Sequence, residues 1–181
     1  IKFNAPEPGK ATAEQIKKVL LESGLWAAIK QRPYGTVANP ADEPRAIFVS
    51  AFDSAPLAPD YNFTMRDEAA NLQVAVDVLN KLTKGGVFVG VNGKNASASV
   101  FSKLNNVKLY GFSGPHPAGN VGVQINNIAP INKGEVVWTI DPMFMVAVGK
   151  LFKQGIYDVT RTIAVAGNRV EKPCYVTCVP G

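Results

Sequence analysis

Short apolar runs alternate with segments of helical periodicity, and this alternation constrains the fold more than any other feature. The runs are Ala46–Ala51, Val87–Val91, Val107–Phe112 and Val136–Ile140. The first two are almost continuously apolar, as expected of a parallel strand covered on both faces. Asp67 to Leu82 reads as a helix with Ala70, Val74, Leu79 and Leu82 on one face, ended by Gly85-Gly86. Asn95–Leu104 and Val121–Asn127 read as short helices. Asp141-Pro142 fits an N-cap followed by an N1 proline, opening an apolar helix Met143–Phe152 that Gly155 stops. Upstream, Thr12 and Gln15 form a capping box ahead of Ile16, Val19, Leu20 and Leu25-Trp26. Gly24 divides that helical segment, Pro33 ends it, and residues 33–44 read as loop. Strands roughly 20 to 30 residues apart with helices between them imply an α/β fold built on a parallel sheet. Beyond residue 160 the rhythm becomes β-β, with Arg161–Gly167 and Tyr175–Val179 as a hairpin pair. The expected organisation is a linker over 1–10, an α/β domain over 11–160 and the start of a different module over 161–181.

The composition supports a packed domain. Of 181 residues, 46% are hydrophobic and 18% charged, enough apolar material for a core and against a disordered chain. No run approaches the ~18 apolar residues a spanning helix requires. The best candidate, Val136–Gly149, is interrupted by Asp141 and Pro142. The opening Ile1-Lys2-Phe3-Asn4 lacks a signal-peptide core and an initiator Met, and the chain stops at Pro180-Gly181 just after a strand-like run. The expectation is a piece of a longer protein. The net charge of +5 comes from scattered Lys and Arg, with no basic cluster and no nucleic-acid signature, so a solvated surface and no nucleic-acid partner are expected.

Two cysteines, Cys174 and Cys178, form a CxxxC. In a strand they share a face with Cα atoms about 13 Å apart, too far for a disulfide. Inert thiols are the expectation, over a redox pair or half a metal site.

An α/β sheet binds ligands at the carboxyl ends of its strands, so the segments after the strands are the candidate sites. They are Phe52–Pro56, Asn92-Gly93-Lys94, Ser113–Gly119 and Asp141–Met143. None has the glycine pattern of a dinucleotide or phosphate loop. The loop Ser113, Gly114, Pro115, His116, Pro117, Ala118, Gly119 comes nearest, with a helix N-terminus after it. Its two prolines remove N–H donors, which favours a shaped structural or docking loop over a phosphate site. His116 is the only histidine; without a nucleophile motif around it, a surface or interface role is expected over a catalytic one. Asp53 and Asp141 are candidate cation ligands, although Asp141 is already explained as a cap. Lys94 reads as an exposed lysine, and Met143–Met145 as core packing.

The run FSGPHPAG over 112–119 resembles the A subunit of the bacterial sodium-translocating NADH:quinone oxidoreductase. Three further stretches agree in order and spacing: Arg32-Pro33 with Pro44–Val49, Val137-Trp138 with Gly149–Phe152, and Ala164–Gly167 with Lys172-Pro173. The resemblance implies a Rossmann-like parallel sheet with helices on both faces, followed by the first strands of a β-grasp (SLBB-type) module. It implies a peripheral subunit on the cytoplasmic side of the bacterial inner membrane, docked on the membrane-embedded B subunit without a membrane span of its own. In the parent complex NAD, FAD, FMN, iron–sulfur and ubiquinone carry electrons from NADH to quinone, coupled to sodium export. This portion is expected to hold no cofactor and no metal, and to have no catalytic residue. It would act as scaffold and docking surface, with Ser113–Gly119 as docking loop or quinone access. The alternative is a flavin- or nucleotide-binding domain of a related Rnf-type or complex I-type subunit.

Overall fold

In a computed structural model, residues 1–180 are described. Helix α1 (Ala13–Glu22) starts at the expected capping box: the Gln15 amide donates to Thr12 Oγ1 and the Thr12 amide to Gln15 Oε1. Its face Ile16, Val19 and Leu20 is buried. Gly24 turns the chain in a left-handed conformation (φ 77°) into a 3-10 turn, Leu25–Ala28.

Here the structure departs from the sequence reading. The helical segment does not run to Pro33, and residues 33–44 are not all loop. Two short strands, β1 (Lys30–Arg32) and β2 (Thr36–Val37), form an antiparallel pair. Three polar residues in β1 carry no period-2 signal, so this strand is specified by tertiary partners. Trp26 Nε1 donates to the Ala38 carbonyl at 2.7 Å, and its ring stands edge-on to Trp138 at 5.3 Å between centroids.

The strands expected from the sequence are β3 (Ile47–Ser50), β4 (Val87–Asn92), β5 (Val107–Phe112) and β6 (Val137–Thr139). Sheet order is β2-β1-β6-β3-β4-β5. The block β6-β3-β4-β5 is parallel, while β1 joins β6 antiparallel, so the sheet is mixed. Alternation divides its two faces. Ile47, Val49, Val87, Val89, Val91 and Trp138 enter the larger core, while Phe48 and Val137 enter a smaller one on the opposite face.

Helices cover both faces, as expected. Helices α1, α3 (Ala69–Asn80) and α5 (Pro142–Gln154) pack into the larger core, and α4 (Val121–Ile128) covers the other face. The buried set on α3 is Leu72, Ala75, Val76, Val78 and Leu79; Ala70 is exposed and Val74 only partly buried, so the helix is rotated from the expected face. Helix α5 crosses α3 at Gly149, where an added Cβ would stand 2.0 Å from the Asn71 carbonyl oxygen.

Three details differ from the sequence reading. A single turn, α2 (Tyr61–Thr64), capped by Asp60, precedes α3. The expected helix over 95–104 is two 3-10 turns, Gly93–Ala98 and Val100–Lys103, because Ser99 is extended and caps the second through the Phe101 amide. Strand β5 is an edge strand, exposed from Lys108 to Gly111.

Strands β7 (Arg161–Val165) and β8 (Cys174–Cys178) form the expected antiparallel hairpin as a separate two-stranded sheet. Cys174 and Cys178 stand at opposite ends of β8 as free thiols. The hairpin touches the main body at several points. Tyr175 stacks on Phe63 and the Asp60 amide donates to the Tyr175 hydroxyl, while in the segment leading into β7 Asp158 is bridged by Lys150 at 2.8 Å, which also reaches Glu68 at 3.2 Å. At the other end of the chain, the Phe3 amide donates to the Gly155 carbonyl, and Phe3 and Ala5 pack on the core.

Candidate functional site

Chain direction across the sheet reverses at β3. From β3 the chain steps to β4 and β5, then returns to β6 on the other side. In open α/β sheets ligands bind at such a switch point, outside the carboxyl ends of the strands. A cleft of about 620 Å³ opens there. Its walls include Phe52, Phe144 and Tyr157, with the small residues Ala27 and Ala28 beside them, and its polar groups include Lys30, Asp53, Tyr61, His116 and Asp141.

Three of these polar groups, Asp53, His116 and Asp141, lie in the segments after strands that the sequence singles out. Asp141 caps α5: its Oδ1 accepts from the Met143 amide at 2.8 Å. Its Oδ2 accepts from the Tyr61 hydroxyl at 3.2 Å. Burial raises the Asp141 carboxyl above the ordinary carboxylate range, with the nearby Asp53 adding to the effect. Burial, then the Asp141 charge, pushes the Tyr61 phenol above its ordinary value, so at neutral pH it is a proton donor. Asp53, exposed, accepts from the Ala55 amide and shapes its own turn.

The loop Ser113–Gly119 joins β5 to α4. His116 and Gly119 line the cleft, while Ser113, Gly114, Pro115, Pro117 and Ala118 do not. A hydrogen-bonded clasp fixes the loop to the end of β3. Ser50 Oγ donates to the Gly119 carbonyl at 2.7 Å, and Gln124 Nε2 donates to Ser50 Oγ at 2.9 Å and to the Ala118 carbonyl at 3.3 Å. Gln124 is buried and lies flat over Gly90, where a Cβ would stand 2.0 Å from its Oε1. The Gly119 amide donates to Ser54 Oγ, which also contacts His116 Nδ1 at 3.2 Å. Gly119 approaches so closely that a Cβ would meet the Phe52 carbonyl oxygen and the Ser54 nitrogen, both at 2.4 Å. The histidine therefore has a serine neighbour after all, brought from 62 residues away.

Lys94, Cys174 and Cys178 lie outside the cleft. Sequence reasoning missed Lys30, Tyr61, Ser50 and Gln124. Asp60 ahead of Tyr61 is a cap signal that would have found α2; nothing local marks the other three.

The cleft is a poor fit for a pyrophosphate. Both helix N-termini beside it are closed by their own caps, α5 by Asp141 and α4 by Asn120, whose Oδ1 accepts from the Gly122 amide at 2.8 Å. Asp53 and Asp141 would face the phosphates, with Lys30 as the lysine lining the cleft. Among the described residues no group of three or more His, Cys, Asp or Glu is placed to hold a metal ion.

The family model described as the NqrA second alpha/beta domain matches residues 11–157. The chain belongs to the NqrA family. Its relatives include the A subunit of the Na(+)-translocating NADH-quinone reductase of Photorhabdus laumondii, 39% identical over 169 residues, covering 92% of this chain and 37% of the relative. The protein of the same name from Pasteurella multocida is 36% identical over 181 residues, covering 99% and 40%. This NqrA-family chain thus spans about two fifths of the relatives it matches. Among solved structures, the NAD+-reducing [NiFe]-hydrogenase in the air-oxidized state superposes with a TM-score of 0.63 at 13% identity, covering 96% of this chain and 37% of that one. That likeness is one of fold. Among the described residues no helix is long and apolar enough to cross a membrane.

Proposed function

We propose that this chain is the scaffold and docking domain of the peripheral A subunit of a sodium-translocating NADH:quinone oxidoreductase, and that the strand-end cleft with the Ser113–Gly119 loop gives quinone access. In this reading the domain holds no cofactor and performs no chemistry alone. NAD, FAD, FMN, iron–sulfur and ubiquinone belong to the parent complex, which works at the cytoplasmic side of the bacterial inner membrane. The neighbour expected to receive it is the membrane-embedded B subunit, and β7–β8 opens a β-grasp module.

The observation that carries the reading is the cleft at a switch point whose phosphate positions are taken by the protein's own caps. A quinone head group is flat, uncharged and has two carbonyl acceptors. Phe52, Phe144 and Tyr157 supply aromatic walls, and Lys30 and His116 are donors at the rim. Such mostly apolar clefts with few polar groups suit small neutral ligands.

A second reading, a flavin or nucleotide site, has one observation in its favour. The Arg32 guanidinium lies against the first turn of α4, its Nη2 2.9 Å from where a Gly122 Cβ would be. Its Nε is buried without a partner.

Photolabelling of the assembled complex tests the proposal. A photoreactive quinone should label the peptide spanning Ser113–Gly119 or the cleft residues, with excess quinone suppressing the label. Labelling confined to the membrane-embedded subunit would overturn the quinone-access reading.

A further inference from the structure

From Val78 to Gly134 the chain contains no aspartate or glutamate, and it carries Lys81, Lys84, Lys94, Lys103, Lys108 and Lys133. The signal is a gap in the acids, which a search for clustered bases overlooks. This stretch builds the end of α3, β4, β5, the loop and α4, and of its lysines Lys94, Lys103 and Lys108 lie in or beside the edge strand β5.

At that side the sheet ends on an open edge. Strand β5 is bonded to β4 on one side only and is the last in the order. At six residues it equals β4 as the longest strand, and it contains no proline. The opposite edge is β2, two residues long. Folded proteins blunt exposed edges with very short strands, prolines or charges, as β2 is blunted and β5 is not. Lys108 does not guard the edge: its Nζ lies back across β4, donating to the Gly85 carbonyl at 2.9 Å above the Phe88 ring. Leu109 and Tyr110 remain exposed at 38% and 41%, with Tyr110 stacked on Phe88. Lys103 precedes β5 at one end, and Lys94, in the turn after β4, stands near the other. Among the described residues neither makes an ion pair.

We propose that the outer edge of β5 is a strand-addition site for an extended, acidic segment of a neighbouring protein subunit. Main-chain bonds along Val107–Phe112 supply the ladder, the Leu109 and Tyr110 side chains grip alternate faces, and Lys94 and Lys103 hold carboxylates at the two ends. A second copy of this edge is disfavoured, because it would bring the lysines against like charges. A lipid surface satisfies the charge but offers no strand for the ladder.

The proposal rests on this chain working within a multisubunit complex. Hydrogen exchange on the full-length subunit, free and in the purified complex, tests it. Amides of Val107–Phe112 should exchange at least about tenfold more slowly in the complex, as protected ladder amides do. The double variant Lys94→Glu/Lys103→Glu should abolish that slowing while the free subunit keeps its melting temperature. Equal exchange in both states would overturn the proposal, and so would slowing that survives charge reversal. Slowing already present in the free full-length subunit would assign the edge to that subunit's own chain, and slowing produced by phosphatidylglycerol vesicles alone would assign it to a membrane; either overturns it. Failure of the subunit to copurify with any complex would instead contradict the family-level reading.

Discussion

At the residue scale, two acids in the same fold are held in opposite ways. Hydrogen bonding from Lys150 holds the Asp158 carboxyl down to about 2, while burial raises that of Asp141. A lowered acid stabilises the fold above its unfolded pKa, near 3.9, and loses that contribution as pH falls toward the folded value. Thermal melts of the native chain and Asp158→Asn should therefore differ most at pH 5 and above, and converge by about pH 2. A constant difference across that range would contradict the Lys150 pairing. Tyr61 donates to Asp141 and so favours its charged form. Tyr61→Phe should raise the Asp141 pKa further, read from its side-chain carboxyl carbon by NMR; an unchanged titration would mean the bond is not formed in solution. Gln124 is the residue on which the loop clasp turns. Gln124→Ala leaves Ser50 and the Ala118 carbonyl without their partner and should cost about 1–3 kcal/mol in urea unfolding, with faster exchange over 113–119.

At the scale of elements, α3 and α5 show which of two effects wins. Alanine is the better helix former by about 1 kcal/mol, so propensity alone favours Gly149→Ala. The added Cβ would meet the α3 backbone at Asn71, which cannot rotate away as a side chain can. Overpacking of this kind costs about 1–3 kcal/mol, so chemical denaturation should show net destabilisation. A more stable variant would mean that the helices separate freely. The same comparison explains what was legible in the sequence. Thr12, Asp141-Pro142 and Gly155 fix helix ends through bonds within one turn, and these ends appear where local chemistry puts them. The apolar strands β3, β4 and β6 are equally visible because burial on both faces demands apolar runs. Strands β1 and β2 are invisible locally: Lys30-Gln31-Arg32 is held by β6 and by the indole of Trp26 reaching Ala38. The rotation of α3 was likewise set by its contact with α5, which an isolated apolar period does not report.

On the scale of the whole molecule, the sheet is mixed and mostly parallel, and the helix N-termini beside its switch point are closed by their own caps. Strand order gives the switch point, and the sequence placed Asp141 and the Ser113–Gly119 loop near it. It did not show that Ser50, Ser54 and Gln124, far apart in the chain, would meet to clasp the loop, or that Tyr61 would reach across to Asp141. Those contacts depend on the crossover between β3 and β6. The +5 charge, uninformative as a total, becomes informative once the acid-free stretch is seen to contain the edge strand β5. The central claim of the proposed function is that this cleft does not accept a dinucleotide or flavin phosphate. Calorimetric titration of the chain with FMN and with NADH tests it most directly. The account predicts no saturable heat in the micromolar range for either ligand. Micromolar binding of either ligand would contradict it.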